Sequence, residues 1–215
     1  MSAKKATSKR REQDPGDVAD RRRRILDAAF SAFMKSGYAM TSTLEIATRA
    51  GVSKRALYQL FESKQEILAV CISARARRLE VLPELSSPRD REGLAQVLTA
   101  VGAQLMREIS DPAVIAVFRL AIAEAINAPE VAWALNSIGR EASRTTLREV
   151  MTRAQSSGLV GGNPAEMAED FAGLLWRNLM VSLLLRVAER PTEQEVEQRA
   201  SAAAAAFLRL YPEPK

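Results

Sequence analysis

The chain has 215 residues, with 31 Lys and Arg against 26 Asp and Glu, no histidine and one cysteine. This excludes Ser–His and Cys–His catalysis, histidine-ligated metal, a histidine pH switch and an internal disulfide. The positive charge lies at one end: residues 1–64 hold 14 Lys and Arg against 7 Asp and Glu, and the remainder 17 against 19, which points to a polyanionic partner for the amino-terminal third.

Residues 1–17 are polar, with Lys4, Lys5, Lys9, Arg10 and Arg11 ahead of Pro15-Gly16. They read as a disordered basic arm that can reach DNA phosphates or a minor groove. A helix is expected from about Val18 or Arg21 to Ser36, because Ile25, Ala28, Ala29, Ala32 and Phe33 recur at helical spacing and Gly37 ends the run. Arg21 to Arg24 form its start, where four cations oppose the helix dipole unless a phosphate lies close. No hydrophobic region of secretory type follows, and no apolar stretch approaches the roughly 18 residues that span a bilayer. The expected location is cytoplasmic, with no membrane partner.

Residues 41–64, TSTLEIATRAGVSKRALYQLFESK, carry the pattern of two short helices joined by a tight turn. Ser42, with Glu45 three residues on, satisfies orphan N–H groups at a helix start. Ile46 and Ala47 give that helix an apolar face. Gly51 supplies the left-handed conformation that closes it, and Val52 plugs the corner. Ser53 caps a second helix that turns Leu57, Leu60 and Phe61 inward and leaves Lys54, Arg55, Tyr58 and Gln59 outward. A third start follows at Ser63 with Glu66. Phe30, Phe33, Ile46, Val52, Leu57 and Phe61 are the expected core of this head. A helix held rigidly proud of its body fits a DNA major groove; a helical hairpin with a solvated basic face is the plainer alternative.

Gly37-Tyr38, Thr41-Ser42, Ile46-Ala47, Ala50-Gly51-Val52-Ser53, Leu57-Tyr58, Phe61 and Ser63-Lys64 together resemble the DNA-binding domain of the TetR family of transcriptional regulators, over about Arg22 to Leu68. Leu60 departs from that pattern, where many members carry an aromatic or His, and Arg55 is bulkier than the Gly or Ala often found there. The resemblance implies a helix–turn–helix domain over residues 18–64. Its DNA-contacting set is Thr41, Ser42, Thr43, Ser53, Lys54, Arg55, Ala56, Tyr58, Gln59 and Lys64. Lys54, Arg55, Tyr58 and Gln59 would face base edges; Thr41, Ser42, Thr43, Tyr58 and Lys64 would hold phosphates.

From Ser63 onward the pattern is helical throughout, with no alternating strand run. Helices are expected from about Lys64 to Leu82, stopping at Pro83; from Arg91 to Ile109; and from Asp111-Pro112 to about Ile126. Others run from Pro129 to Ser157, and then over about 164–189 and 192–210. Ser86-Ser87-Pro88 and Gly161-Gly162-Asn163-Pro164 read as turns, and Thr192 with Glu195 as another capping box. Cys71, inside the run ILAVCI, reads as a small buried hydrophobe.

The sequence thus describes an all-α protein: a three-helix head, then residues 65–215 as a helical bundle for ligand sensing and dimerisation. The last two helices, apolar nearly all round or alanine-rich, are candidates for a homodimer interface through Phe171, Leu174, Leu175, Leu179, Leu183, Ala203 and Phe207. FRLAIAEAINAPEVAWAL and GLVGGNPAEMAEDFAGLLW look like the subgroup related to AefR-type regulators. That resemblance implies an apolar effector pocket, for which Arg75, Leu98, Met106, Phe118, Ile122, Trp133, Met151 and Trp176 are candidates. Core packing is the competing role for each of them. The expected function is a dimeric repressor of an inverted-repeat operator in double-stranded DNA, released by a small apolar or amphipathic effector, with no cofactor and no enzymatic activity. An activator of the same fold remains open. So does an apolar-ligand carrier with a basic membrane-docking tail, which leaves the capped turn at 50–53 unexplained.

Overall fold

The computed structural model describes residues 15–80 and 88–214. The basic arm before Pro15, the loop residues Ser86-Ser87, the helix end at Leu82 and the side chain of Arg75 lie outside the described residues. Every regular element among the described residues is helical.

Helix α1 spans Pro15–Ser36, α2 Thr43–Arg49, α3 Lys54–Tyr58 and α4 Lys64–Glu80. Helix α1 begins earlier than the apolar spacing suggests, so Arg21 to Arg24 lie inside it rather than at its mouth. Their charge is met by protein. Arg21 pairs with Asp17, and Asp20 pairs with Arg23 at 2.5 Å and Arg24 at 3.4 Å. The Arg23 hydrogen bond is the main reason the Asp20 carboxyl sits below the usual carboxylate range. Arg22 Nη1 donates to the Leu60 carbonyl at 3.2 Å, and Arg24 Nη1 to the Ala50 carbonyl at 3.1 Å. Both carbonyls lie at helix C-terminal ends, where orphan acceptors and the dipole favour a cation. No phosphate is needed to explain the run.

The body consists of α5 (Arg91–Ile109), α6 (Pro112–Glu124), α7 (Pro129–Ala134), α8 (Glu141–Ser156), α9 (Pro164–Trp176), α10 (Leu179–Leu184) and α11 (Glu193–Leu210). Local chemistry sets most starts. Asp90 accepts from Gly93 N at 2.8 Å, Asp111 from Ala113 N at 2.8 Å and Asn163 from Ala165 N at 2.8 Å. Thr192 and Glu195 complete the expected capping box.

Two features break the expected helices. The single helix foreseen over 129–157 contains a π-helical turn at Leu135–Arg140, between α7 and α8. The helix foreseen over 164–189 stops at Trp176, because Arg177 takes φ 44°, and α10 begins on a new axis. Gly139 lies inside the first break, while no glycine or proline marks the turn at Arg177 and Asn178.

In the body core, α5 packs along α11 and α9. Phe171 and Phe207 meet edge to face at 5.7 Å between centroids. Gly102 permits the close crossing: a Cβ there would lie 3.2 Å from Leu175 and 3.3 Å from Phe171. Arginines from neighbouring segments close several C-terminal ends. Arg91 Nη1 donates to the Leu159 carbonyl at 2.7 Å and the Tyr211 carbonyl at 3.1 Å. Arg119 Nε reaches the Leu184 carbonyl at 3.0 Å, and Arg190 Nη2 the Arg107 carbonyl at 3.0 Å.

The core of the head is continuous with α6 and α7. Phe33, Ile46, Leu57 and Phe61 are buried in one cluster with Val117, Leu120 and Val131, while Phe30 and Val52 are only partly buried. Cys71 is buried in the same cluster. A polar contact reinforces this junction. Glu124, at the end of α6 and buried, accepts from Ala39 N at 3.1 Å in the turn between α1 and α2. Gly37, at φ 84°, opens that turn.

Candidate nucleic-acid interface and ligand cavity

The helix–turn–helix is assembled by short-range hydrogen bonds. Ser42 Oγ accepts from Glu45 N at 3.1 Å, and Ser53 Oγ from Ala56 N at 3.1 Å. Between them Gly51 takes φ 64°, and Val52 N returns to the Ala47 carbonyl at 3.0 Å. This is the closure that a left-handed residue after a helix allows. Leu57 is fully buried and locks α3 onto the head, while Ser53, Lys54, Arg55, Tyr58 and Gln59 are exposed on one strip and Ala56 is half-buried. Tyr58 OH lies 3.0 Å from Thr43 Oγ1, joining the strip to the start of α2. Lys54 Nζ lies 5.9 Å above the Tyr58 ring. Ser42 is also exposed. A capping hydroxyl oxygen that accepts still has its own proton to offer an anion.

Two members of the predicted contact set have other partners. Thr41 is buried, and its hydroxyl donates to the Gly37 carbonyl at 2.7 Å, so this side chain is not presented to a phosphate. Lys64 Nζ donates to the carbonyls of Tyr38 at 2.9 Å and Thr41 at 3.1 Å, and lies 4.2 Å from the Tyr38 ring centroid. Of the three ammonium protons, one is left for DNA. Tyr38 is buried, and desolvation, with the Glu130 and Glu124 carboxylates near it, pushes its hydroxyl far above the ordinary phenol value.

In the body a cavity of about 350 Å³ opens between α4, α5, α6, α8, α9 and α10. Of the predicted lining, Phe118 and Trp176 are in it. Leu98, Met106 and Met151 are fully buried core side chains outside it, because α5 and α8 turn those faces toward α9 and α11. Ile122 and Trp133 are 62% and 71% exposed on the outer surface. The sequence reading missed the polar wall, formed by Arg140, Ser143, Arg144 and Glu169. The signal for it was Gly139, alone in the middle of a helical run and inside the π turn, where a Cβ would meet Leu135 at 3.1 Å.

The proposed dimer residues also need correction. Phe171, Leu175, Leu179, Leu183, Ala203 and Phe207 are buried in the protomer's own core; only Leu174 is half-exposed. Packing of α9 and α11 against α5 covers Phe171, Leu175, Ala203 and Phe207, and the break at Arg177 folds α10 back toward α6, which covers Leu179 and Leu183. Apolar residues that face outward here include Val181, Leu185 and Val187, which are 57%, 67% and 74% exposed, and Leu210 at the end of α11. No helix among the described residues is long and apolar enough to cross a membrane.

Comparison with known proteins agrees with this geometry. Residues 25–71 match the family described as bacterial regulatory proteins, tetR family, and residues 96–213 match the AefR-like transcriptional repressor C-terminal domain. The HTH-type transcriptional regulator YvkB of Bacillus subtilis is 25% identical over 178 residues, covering 81% of this chain and 90% of that protein. SrpR, an HTH-type transcriptional regulator of Pseudomonas putida, is 31% identical over 98 residues, 44% of this chain and 46% of that protein. Among solved structures, a TetR transcriptional regulator from Agrobacterium tumefaciens superposes with a TM-score of 0.73 at 26% identity, covering 94% of this chain and 97% of that one. The flavonoid-responsive regulator FrrA gives a TM-score of 0.76 at 27% identity over 90% of this chain and 98% of its own. The protein is a DNA-binding transcriptional regulator and belongs to the TetR family, with a carboxyl-terminal domain of the AefR-like type.

Proposed function

We propose that the protein is a homodimeric, cytoplasmic repressor that binds an inverted-repeat operator and leaves it when a small amphipathic molecule fills the body cavity. The observation that carries this reading is the pairing of an exposed α3 strip, capped by Ser53, with a partly open cavity whose lining includes α4, the helix that follows α3 directly. In this reading Lys54, Arg55, Tyr58 and Gln59 face base edges, Arg55 pairing with guanine and Gln59 with adenine in the geometry those side chains favour. Ser42, Thr43, Ser53 and the last proton of Lys64 hold phosphates. The second copy docks on the outer faces of α9, α10 and α11, with Leu174, Val181, Leu185 and Ala202 in the contact.

Effector control requires the ligand to bind one dimer state better than the other. A tenfold shift needs about 1.4 kcal/mol of differential affinity. A repressor is preferred to an activator because the matched carboxyl-terminal domain is described as that of a transcriptional repressor, and FrrA, of similar fold, is named as responsive to a small molecule.

Selection of bound duplexes from a random pool tests the reading. An inverted repeat is expected; recovery of no duplex enrichment would refute it. Gln59→Ala should relax preference at one position per half-site in the same selection, and an unchanged profile removes Gln59 from the reading set. Lys64→Ala should weaken binding to every sequence alike and lower the salt slope by about one unit. A fall in specific binding alone would show that Lys64 acts only by holding the turn at Tyr38 and Thr41.

A further inference from the structure

The lining of the body cavity divides by chemistry. Ile72 on α4, Val114 and Phe118 on α6, and Ala172 and Trp176 on α9 make apolar walls. The polar groups of the α8 wall, Arg140, Ser143 and Arg144, fall within one turn, at spacings of three and four residues that place them on a common face. The π turn at Leu135–Arg140 ends at the first of them, and such turns widen a helix and re-aim its side chains.

The three groups differ in what they already hold. Arg144 Nε donates to Glu169 at 2.9 Å, with Glu141 at 3.8 Å, so its charge is neutralised. Arg140 meets no carboxylate among the described residues; its single contact is a long one, 3.4 Å to the neutral Asn136 Oδ1. The Ser143 hydroxyl has no hydrogen-bond partner among the described residues and lines the cavity beside it. The remaining acid of the lining, Glu108 on α5, accepts from Gln104 Nε2 at 3.2 Å. An open guanidinium fork and a free hydroxyl beside apolar walls match an oxyanionic acidic group attached to a hydrophobic body. A volume of about 350 Å³ falls within the range of small-molecule sites.

We propose that the cavity selects an amphipathic monoanion, its acidic group held by Arg140 and Ser143 on the α8 wall and its apolar body lying between α4, α6 and α9. This rests on the reading of the cavity as the effector site and adds the charge of the ligand to it.

Three environment-sensitive fluorescent probes test it on the full chain: anionic 1-anilinonaphthalene-8-sulfonate, its neutral analogue N-phenyl-1-naphthylamine, and cationic auramine O. The expected result is roughly tenfold tighter binding of the anion than of the neutral analogue, equivalent to about 1.4 kcal/mol. Arg140→Gln should erase that preference while leaving the neutral affinity unchanged, and Arg140→Lys should restore part of it. Arg140 is exposed, so neither change threatens the fold. Ala172→Trp, which fills the cavity, should abolish the binding of both naphthalene probes and so separates cavity from surface binding. Equal affinity for the anionic and neutral probes, or a preference that survives Arg140→Gln, would overturn the proposal while leaving the cavity as an effector site. Preference for auramine O would overturn it in favour of Glu108 as the anchor. If none of the probes binds in a manner sensitive to Ala172→Trp, the effector reading falls as well.

Discussion

Truncating Phe61 to Ala should destabilise the protein by about 3–5 kcal/mol and abolish operator binding. The ring is buried at the point where the chain leaves α3, and its N–H closes the last turn on the Leu57 carbonyl at 3.0 Å. It also carries the Arg22 guanidinium 4.5 Å from its centroid, while the same guanidinium holds the Leu60 carbonyl. Removing the ring opens a cavity beneath the recognition helix and frees the cation that caps it. A partly desolvated cation–π contact adds about 0.5–2 kcal/mol to the packing loss. Against a typical stability of about 5–15 kcal/mol that is a large share. Because the head core runs on into α6 and α7, the loss should appear as a lowered denaturant midpoint of the main unfolding transition, not as a separate early one. A change under about 1 kcal/mol, with DNA binding intact, would contradict this account of the head.

The second large effect is expected at the junction of head and body. Gly37→Ala introduces a Cβ 2.8 Å from Glu124 Oε1, at a backbone φ of 84°. Left-handed backbone costs a non-glycine residue about 1–2 kcal/mol, and the clash moves the carboxylate off the Ala39 N–H. Glu124→Ala leaves that N–H without its partner, at a cost of about 1–3 kcal/mol. The two changes damage one contact, so the double variant should lose less than the sum of the singles. Denaturation of the three variants measures this, with amide exchange at Ala39 as the local readout. Strict additivity would show that Gly37 and Glu124 act independently.

The parts of this structure legible in the sequence are those written in neighbouring residues. Ser42, Ser53, Asp111 and Thr192 announce helix starts because a short polar side chain there reaches N–H groups two or three residues away. Gly51 announces the turn because its φ is closed to most residues. The reading failed where the cause is distant. Arg177 departs from helix with no local signal, and that single turn changes which faces of α10 are covered. Hence Leu179 and Leu183, apolar at the right spacing for an interface, are interior. Leu98, Met106 and Met151 were assigned to the pocket on hydrophobicity alone, which cannot distinguish a side chain facing a cavity from one facing a neighbouring helix. The four arginines of α1 looked unbalanced because Leu60 and Ala50, whose carbonyls receive two of them, lie 38 and 26 residues away.

Those arginines alter what the formal charge of +5 means. Arg22, Arg24 and Lys64 are engaged by main-chain oxygens of the head itself, and Arg91, Arg119 and Arg190 serve the body in the same way. Cations tethered this way keep their charge but have fewer free donors, and less reach, with which to meet the phosphates of a polyanion and displace its counterions. Retention on heparin or bulk chromosomal DNA is therefore expected to be weaker than the composition advertises, an outcome suited to a regulator that must search among many wrong sites before it finds its own.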